Sequence, residues 1–490
     1  MRVARIAEEE PMFDAESGMR VSAGMRDFYT GRLPALDPLE LFRRMAAGVP
    51  AYADFLRGHG IEAGAVRSLS EIPLMTKINY HSRYDLPQRC HGGTLSGCDM
   101  VAVSSGSSGR PTVWPRSVLD ERAVAARFEQ VFADGFRAAE RGTLAVVCFA
   151  LGNWVGGMYT TAACRHLTAK GYPITVATPG NDVAEILRVV GELGPLFDQV
   201  VLLGYPPFVK NVIDAGIAAG VDWPAYKIKI VLAGEVFSEA WRDLVAARAG
   251  LHDPATDAAS LYGTADAGVL GNETPLSVRI RRFLADRPEI AVPLFGDARL
   301  PTLVQYDPAT RFFETVDGTL AFTGDGGVPL MRYHIADEGG LIGRAELVTL
   351  CRDHGFDPGD GPDLPFVYVF GRSLFTVSFF GANIYPENVT VGLERPHIAA
   401  RVTGKFVVRS IEDADRDRRL SVVVELAPGV TGSAELAAAV AESIRTELVR
   451  LNSEFAHYVP AGYQLPEVEL RAPGDPEYFP PGVKHRYTRP

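Results

Sequence analysis

The sequence predicts an α/β fold: a large N-terminal domain of mostly parallel βαβ units with an antiparallel, barrel-like portion, and a small α+β C-terminal lid domain. Three observations carry that prediction. Between residues 143 and 262, short β-branched runs alternate with amphipathic segments, the mark of parallel strands joined by helices and buried on both faces. From 291 to 345 the density of Pro, Gly and Asp rises and the apolar runs shorten, as antiparallel hairpins require. After Gly371-Arg372 the pattern changes to strand pair, amphipathic helix and strand, which divides the chain into residues 1–372 and 373–490.

In order, the first hundred residues read as mostly helical, with FRRMAAGVPAYADFLRGHG (42–60) the clearest segment. The strands TLAVVCFA (143–150), YPITVAT (172–178), QVVLLGY (199–205) and IKIVLAG (228–234) then alternate with helical segments. TLVQY, GTLAF and LMRYHI supply the hairpins. In the last unit KFVVRSI and LSVVVEL form a strand pair, ELAAAVAESIRTELVRLNSEF (435–455) one long helix, and EVELRAP a further strand. Open parallel sheets bind ligands beyond the carboxyl ends of their strands, so the site is expected there.

At 47% hydrophobic and 22% charged residues, the 490-residue chain has material for a large core and is neither disordered nor fibrous. A net charge of -11 has the wrong sign for coating nucleic acid, so any polyanion bound must be small and held locally. The five cysteines, at 90, 98, 148, 164 and 351, lack metal-ligand spacing and are odd in number. They predict neither a disulfide framework nor a zinc site, and a reducing cytoplasm as the location. The N-terminus MRVARIAEEE has no secretory h-region. The uncharged stretch 142–164 is long enough for a bilayer, but its glycines, Asn153 and threonines split it into a strand and a helix, so no membrane span is expected. Only 7 of the 49 basic residues are lysines, which makes each lysine informative.

The most unusual composition is VAVSSGSSGRPTVWP (101–115), a Ser/Gly loop after an apolar strand. Small residues let backbone N–H groups approach a phosphate and hydroxyls add donors; a plain surface turn is the alternative reading. It is not a Walker loop, because no Gly-Lys-Ser/Thr follows. The Ser-Ser-Lys relay of amidases is a rival, but the only upstream lysine, Lys77, sits in a Thr-Lys pair that reads as a helix start.

Order along the chain is more informative than any one motif. Ser104-Ser105-Gly106-Ser107-Ser108-Gly109-Arg110-Pro111-Thr112 is followed by Ala233-Gly234-Glu235, Tyr262-Gly263-Thr264-Ala265-Asp266, Tyr333-His334-Ile335-Ala336-Asp337, Gly371-Arg372 and Lys484. This succession resembles the adenylate-forming superfamily, specifically its phenylacetate-CoA ligase branch, whose first loop reads SSGTTGxPT. AGVPAYADFLRGHGIEAGAVRSLSEIPLMTK (47–77) is similar to that branch's N-terminal helix ending in P-x-T-T-K, PLMRYHIAD (329–337) to its "PLIRYRTRD", and GRSLFTVSFFGANIYP (371–386) to its "GRSDDMLIIRGVNVFP". The resemblance spans nearly the whole chain.

The resemblance implies a two-step reaction in which a carboxylate attacks the α-phosphate of Mg-ATP, releasing pyrophosphate, and a thiol, most often that of coenzyme A, then displaces AMP. Carried over by position, Ser104, Ser105, Gly106, Ser107, Ser108 and Gly109 hold the phosphates, while Ala233, Gly234 and Glu235 line the adenine slot. Tyr262, with Gly263 and Thr264, stacks on the base. Asp266 stands at the Mg²⁺ ligand, Asp337 at the aspartate that holds both ribose hydroxyls, and Arg372 at an arginine supporting the nucleotide. Lys484, in GVKHRY, matches the mobile lysine of the adenylation step. The acyl pocket is expected where Phe149, Leu151, Gly152, Asn153, Trp154 and Gly157 leave their strand, with Tyr205 in a second wall, and its aromatic character suggests an aromatic or flat apolar acid.

Two departures stand out. Ala265 and Asp266 replace a hydroxyl residue and a glutamate, and Leu374-Phe375 replaces the acidic hinge. The changed hinge puts the rotation of the lid in doubt and leaves open transfer to an amine or a carrier-protein thiol, or activation of nitrite for diazotisation. An amidase-type hydrolase and a silent nucleotide-binding relative are the alternatives of a different class. The expected partners are a small carboxylic acid, ATP, Mg²⁺ and coenzyme A, with no zinc, no nucleic acid and no membrane; a homodimer is left open.

Overall fold

The computed structural model describes Leu33, residues 35–104, 112–372 and 376–480, Tyr487 and Thr488, and the backbone of a two-stranded pair, β1 (Met12–Phe13) and β2 (Arg20–Val21). Strands β3 (Met100–Ser104) and β4 (Thr112–Arg116) pair antiparallel. Residues 105–111, the rest of the Ser/Gly loop, join them and lie outside the described residues.

The centre of the molecule is one sheet of eleven strands. Its parallel half comprises β5 (Thr143–Val147), β6 (Ile174–Ala177), β7 (Gln199–Gly204), β8 (Lys229–Ala233) and β9 (Ala258–Thr264), in the order β6-β5-β7-β8-β9. The helices Val155–Ala169, Val183–Leu193, Pro206–Ala218 and Glu239–Ala249 are the crossovers. Every residue of β5 and β7 is buried, as their β-branched runs demand. The antiparallel half extends the same sheet through β10 (Gly268–Asn272), β11 (Thr302–Gln305), β12 (Phe312–Val316), β13 (Thr319–Gly324), β14 (Leu330–Ile342) and β15 (Phe366–Arg372).

The C-terminal unit begins with a hairpin, β16 (Val377–Phe379) and β17 (Ala382–Ile384), followed by a three-stranded sheet of β18 (Val402–Glu412), β19 (Arg418–Leu426) and β20 (Glu467–Arg471). Two helical segments differ from expectation. The 42–60 segment divides into helices Pro38–Gly48 and Pro50–Gly58, because Pro50 has no N–H to continue the first and is preorganised to start the second. The 435–455 helix stops at Leu451; Asn452 adopts an extended backbone and its side chain accepts from the Phe455 N–H at 3.0 Å, starting the short helix Ser453–Tyr458. Much of 60–100 forms short 3₁₀ and π turns. The 142–164 stretch forms β5 and the start of helix Val155–Ala169, and no helix among the described residues is long and apolar enough to cross a membrane.

An ion cluster ties the C-terminal unit to the parallel half. The Lys210 ammonium, 1% exposed, donates to Asp214 at 2.7 Å, Asp417 at 2.7 Å and Asp415 at 3.2 Å, and Arg248 donates to Asp214 at 2.6 Å and also pairs with Asp415. The three carboxylates have the spacing of a metal site, but the lysine bonds all three. Bonds from Arg248 and Lys210 hold the Asp415 carboxyl down to about 2. A depressed carboxyl stabilises the fold above the unfolded value near 4, and the contribution is lost as pH falls toward 2. Lys210→Met leaves the three carboxylates without their shared buried cation and is therefore expected to lower the thermal unfolding temperature at pH 7. In thermal unfolding the difference from wild type should shrink between about pH 4 and 2.

Candidate functional site

A cavity of about 1010 Å³ opens at the carboxyl ends of β7, β8 and β9 and is walled on one side by the C-terminal unit. β8 ends at Ala233 and the chain turns at Gly234, whose φ of +88° suits glycine; Ala233, Gly234 and Glu235 all line the cavity. β9 delivers Tyr262, Gly263 and Thr264 to the same wall, β3 delivers Ser104, and β14 delivers Asp337. The Tyr262 hydroxyl donates to Asp337 at 2.8 Å, joining two residues from different halves of the sheet.

Asp266, in the turn between β9 and β10, is buried on the cavity wall and accepts from the Tyr333 hydroxyl at 2.5 Å. Arg116, 1% exposed, donates to the backbone carbonyl of Asp266 at 2.9 Å and to that of Ala265, so a buried cation fixes this turn. Behind Ser104, whose hydroxyl accepts from Trp114 Nε1 at 3.0 Å, His81 packs on the Trp114 ring. Burial, reinforced by the cations Arg89, Lys77 and Arg116, keeps His81 well below the ordinary imidazole range, hence neutral.

Tyr205, immediately after β7, lines the cavity beside Gly234. Phe149 meets it edge-on at 4.8 Å, and a Cβ added at Gly234 or Gly381 would fall 2.8 or 2.2 Å from its ring. Glu235 accepts from the Gly381 N–H at 2.6 Å, so the tip of the β16–β17 hairpin is bound at the cavity by a carboxylate. Burial pushes the Glu235 carboxyl up, against the opposing field of Arg418. Gly381 also has φ +79°, and Gly381→Ala is expected to displace the hairpin from Tyr205.

The structure brings Phe149 and Tyr205 to the cavity but leaves Leu151, Gly152, Asn153, Trp154 and Gly157 off its lining. After Ala150 the chain turns outward at Gly152, φ +88°, exposing Leu151, while the Asn153 carbonyl accepts from Val103 N–H at 2.9 Å. Trp154 packs on His457 and Tyr458 of the C-terminal unit, and Gly157 gives space to the Ala150 carbonyl. Arg372 lies opposite Asp337 in the β14–β15 register, but its side chain, like Ser105, Gly106, Ser107, Ser108, Gly109 and Lys484, lies outside the described residues. Sequence reasoning missed Gly156, Tyr159, Lys77, Asn383, Glu454 and Tyr458, all on the lining. For Lys77 a signal existed in the scarcity of lysines and the Thr-Lys pair, and for Asn383 in the GRSLFTVSFFGANIYP stretch; for Glu454 and Tyr458 there was none.

No family model matches the chain, and no curated protein matches its sequence. Solved structures do. It is similar to 2-hydroxyisobutyryl-CoA ligase in complex with 2-HIB-AMP and CoA in the thioesterification state, at 15% identity and a TM-score of 0.64 over 95% of this chain and 88% of that one. The same ligase in the postadenylation state with 2-HIB-AMP gives 15% identity and a TM-score of 0.52 over 98% and 90%. Its open conformation gives 16% and 0.53 over 92% and 89%. The eleven-stranded sheet and the C-terminal unit thus share the fold of 2-hydroxyisobutyryl-CoA ligase.

Proposed function

We propose that the protein is an ATP-dependent ligase that activates a carboxylic acid as an acyl-adenylate and passes the acyl group to a thiol, that of coenzyme A. The observation that carries this reading is the convergence of Asp337, bonded to Tyr262, and Asp266, fixed over Arg116, on one cavity at the sheet's carboxyl edge. Residues 1–372 would bind ATP and acid, and residues 373–490 would act as a lid.

In the first step an acid oxygen bonds the α-phosphorus and the bond to pyrophosphate breaks. In the second the thiol sulfur bonds the acyl carbon, its proton is released and AMP leaves. Neither step needs a protein nucleophile, so the chain's task is positioning and charge compensation. Tyr262 and Asp337 would hold the nucleoside, with the ribose hydroxyls donating to the carboxylate. Ser104 and the loop after it, together with Lys77, would face the phosphates. Mg²⁺ would supply neutralisation of phosphate charge. A buried carboxylate on the cavity wall suits a hard, oxygen-seeking cation that takes its remaining ligands from phosphate and water, so Asp266 fits as the residue that holds it.

The wall of Phe128, Phe149, Tyr159, Tyr205, Leu261 and Val269 supports an aromatic or otherwise apolar acid. The higher superposition on the thioesterification state than on the other two states, and the Gly381–Glu235 contact, support reading the present lid arrangement as the one for acyl transfer. Pyrophosphate release across a panel of aliphatic and aromatic acids, with and without coenzyme A, tests the proposal. Acid-dependent release and thioester formation are expected. Product formation without ATP would establish a hydrolase instead, and ATP binding without turnover a silent relative.

A further inference from the structure

Three aromatic rings form a continuous wall of the cavity, and the third comes from the other unit of the chain. Phe149 follows β5, Tyr205 follows β7, and Tyr458 ends the short helix Ser453–Tyr458 of the C-terminal unit; all three are buried and on the cavity lining. Phe149 meets Tyr205 edge-on at 4.8 Å, and Tyr205 and Tyr458 lie 5.3 Å apart with planes inclined at 30°. Trp154 supports Tyr458 from outside at 5.2 Å. Such pairs are short-range and geometry-dependent, so the wall exists only while the two units are docked.

Tyr458 is held for this position. Asn452, which caps its helix, donates to the Asn383 carbonyl at 2.8 Å, and Glu454 accepts from the Asn383 N–H at 3.2 Å. Asn383 lies on β17, two residues beyond the Gly381 that Glu235 binds. The helix and the hairpin are therefore tied to each other at the cavity.

Resting on the ligase reading above, we propose that Tyr458 is a specificity-determining residue for the acid: it completes the apolar wall only in the docked arrangement, so that acid size is read a second time before the acyl group is transferred. Truncation removes a phenol ring from the wall and leaves room for a second ring on the substrate. Because a single methylene in an apolar pocket shifts selectivity by about tenfold or more, the change should be at least that large.

The test compares wild type, Tyr458→Ala and Tyr458→Phe with a one-ring and a two-ring aryl acid. It measures thioester formation with coenzyme A, pyrophosphate release without it, and acid affinity by calorimetry in the presence of AMP. Tyr458→Ala is expected to raise the two-ring to one-ring ratio of kcat/KM at least tenfold in thioester formation and less in pyrophosphate release. Tyr458→Phe should keep the wild-type ratio. Equal losses for both acids, or a change confined to KM for coenzyme A, would overturn the proposal. If wild type activates no acid, the ligase reading fails and the calorimetric ratio decides on Tyr458 alone, an unchanged ratio overturning it. Should the alanine variant not fold, Tyr458→Leu replaces it under the same criteria.

Discussion

Asp337→Ala is expected to raise the Michaelis constant for ATP by about 10- to 100-fold, the loss of one or two charge-assisted hydrogen bonds, while Asp325→Ala changes it less than about twofold. The contrast is sharp because Thr323-Gly324-Asp325 spells the T-G-D of the wider superfamily's ribose motif and a pattern search would select Asp325. The structure separates the two. Asp325 follows β13 in the hairpin turn, off the cavity lining, where it pairs with Arg44 at 2.7 Å and His91 at 3.0 Å. Burial alone would push the Asp325 carboxyl up, but His91 and Arg44 together hold it below the ordinary range, so its partners are structural and its loss should lower thermal stability. Asp337 lies within β14, buried and on the cavity wall, with one oxygen already oriented by Tyr262. A carboxylate held in this way accepts from two hydroxyls without first losing rotamer freedom. Steady-state kinetics with ATP varied at saturating acid measures both variants; a raised constant for Asp325→Ala and an unchanged one for Asp337→Ala would mean the nucleotide lies a whole hairpin away.

What the sequence made legible follows from how local its causes are. β5, β7 and β8 were readable because strands covered on both faces must be apolar throughout, and the switch to hairpins after β9 because turns concentrate Gly, Pro and Asp. Asp266, Tyr262 and Asp337, which line the cavity, were singled out through motifs that occupy single turns or strands. Lys77 was dismissed because its place depends on a distant strand: Met75 accepts from His334 N–H at 2.8 Å and donates to the Arg332 carbonyl at 3.2 Å, which stitches the turn beginning at Lys77 to β14. The Trp154 expectation missed because a positive-φ glycine redirects the chain two residues earlier, and no periodicity reports that direction. Gly381 lies in the GRSLFTVSFFGANIYP stretch, but its place at the cavity, like that of Tyr458, depends on docking of two units, which leaves no local trace.

Lys484→Ala is expected to reduce acid-dependent pyrophosphate release by about 10²-fold or more, and thiolysis of supplied acyl-adenylate far less. The role follows from the resemblance, since Lys484 itself lies outside the described residues. Its neighbours in sequence are informative. The Tyr487 carbonyl accepts from Val408 N–H at 2.8 Å, its ring packs on Phe406 at 4.9 Å, and Thr488 bridges Val408 and lines the cavity. The tail that carries the lysine is thus attached to β18, in the same unit that presents Gly381 and Tyr458 to the cavity. A unit that offers its hairpin for one step and its lysine for the other would use each group in one half-reaction only, because one rigid body presents one face at a time. Lysine suits the adenylation step, where its point charge on a flexible stem compensates both the attacking carboxylate and the α-phosphate without demanding a fixed geometry. The Gly381→Ala variant should show the opposite split, losing acyl transfer and keeping activation. Measured together, the two substitutions form a crossed pair: loss of both half-reactions to the same extent in each variant would mean that the C-terminal unit serves both steps in a single orientation.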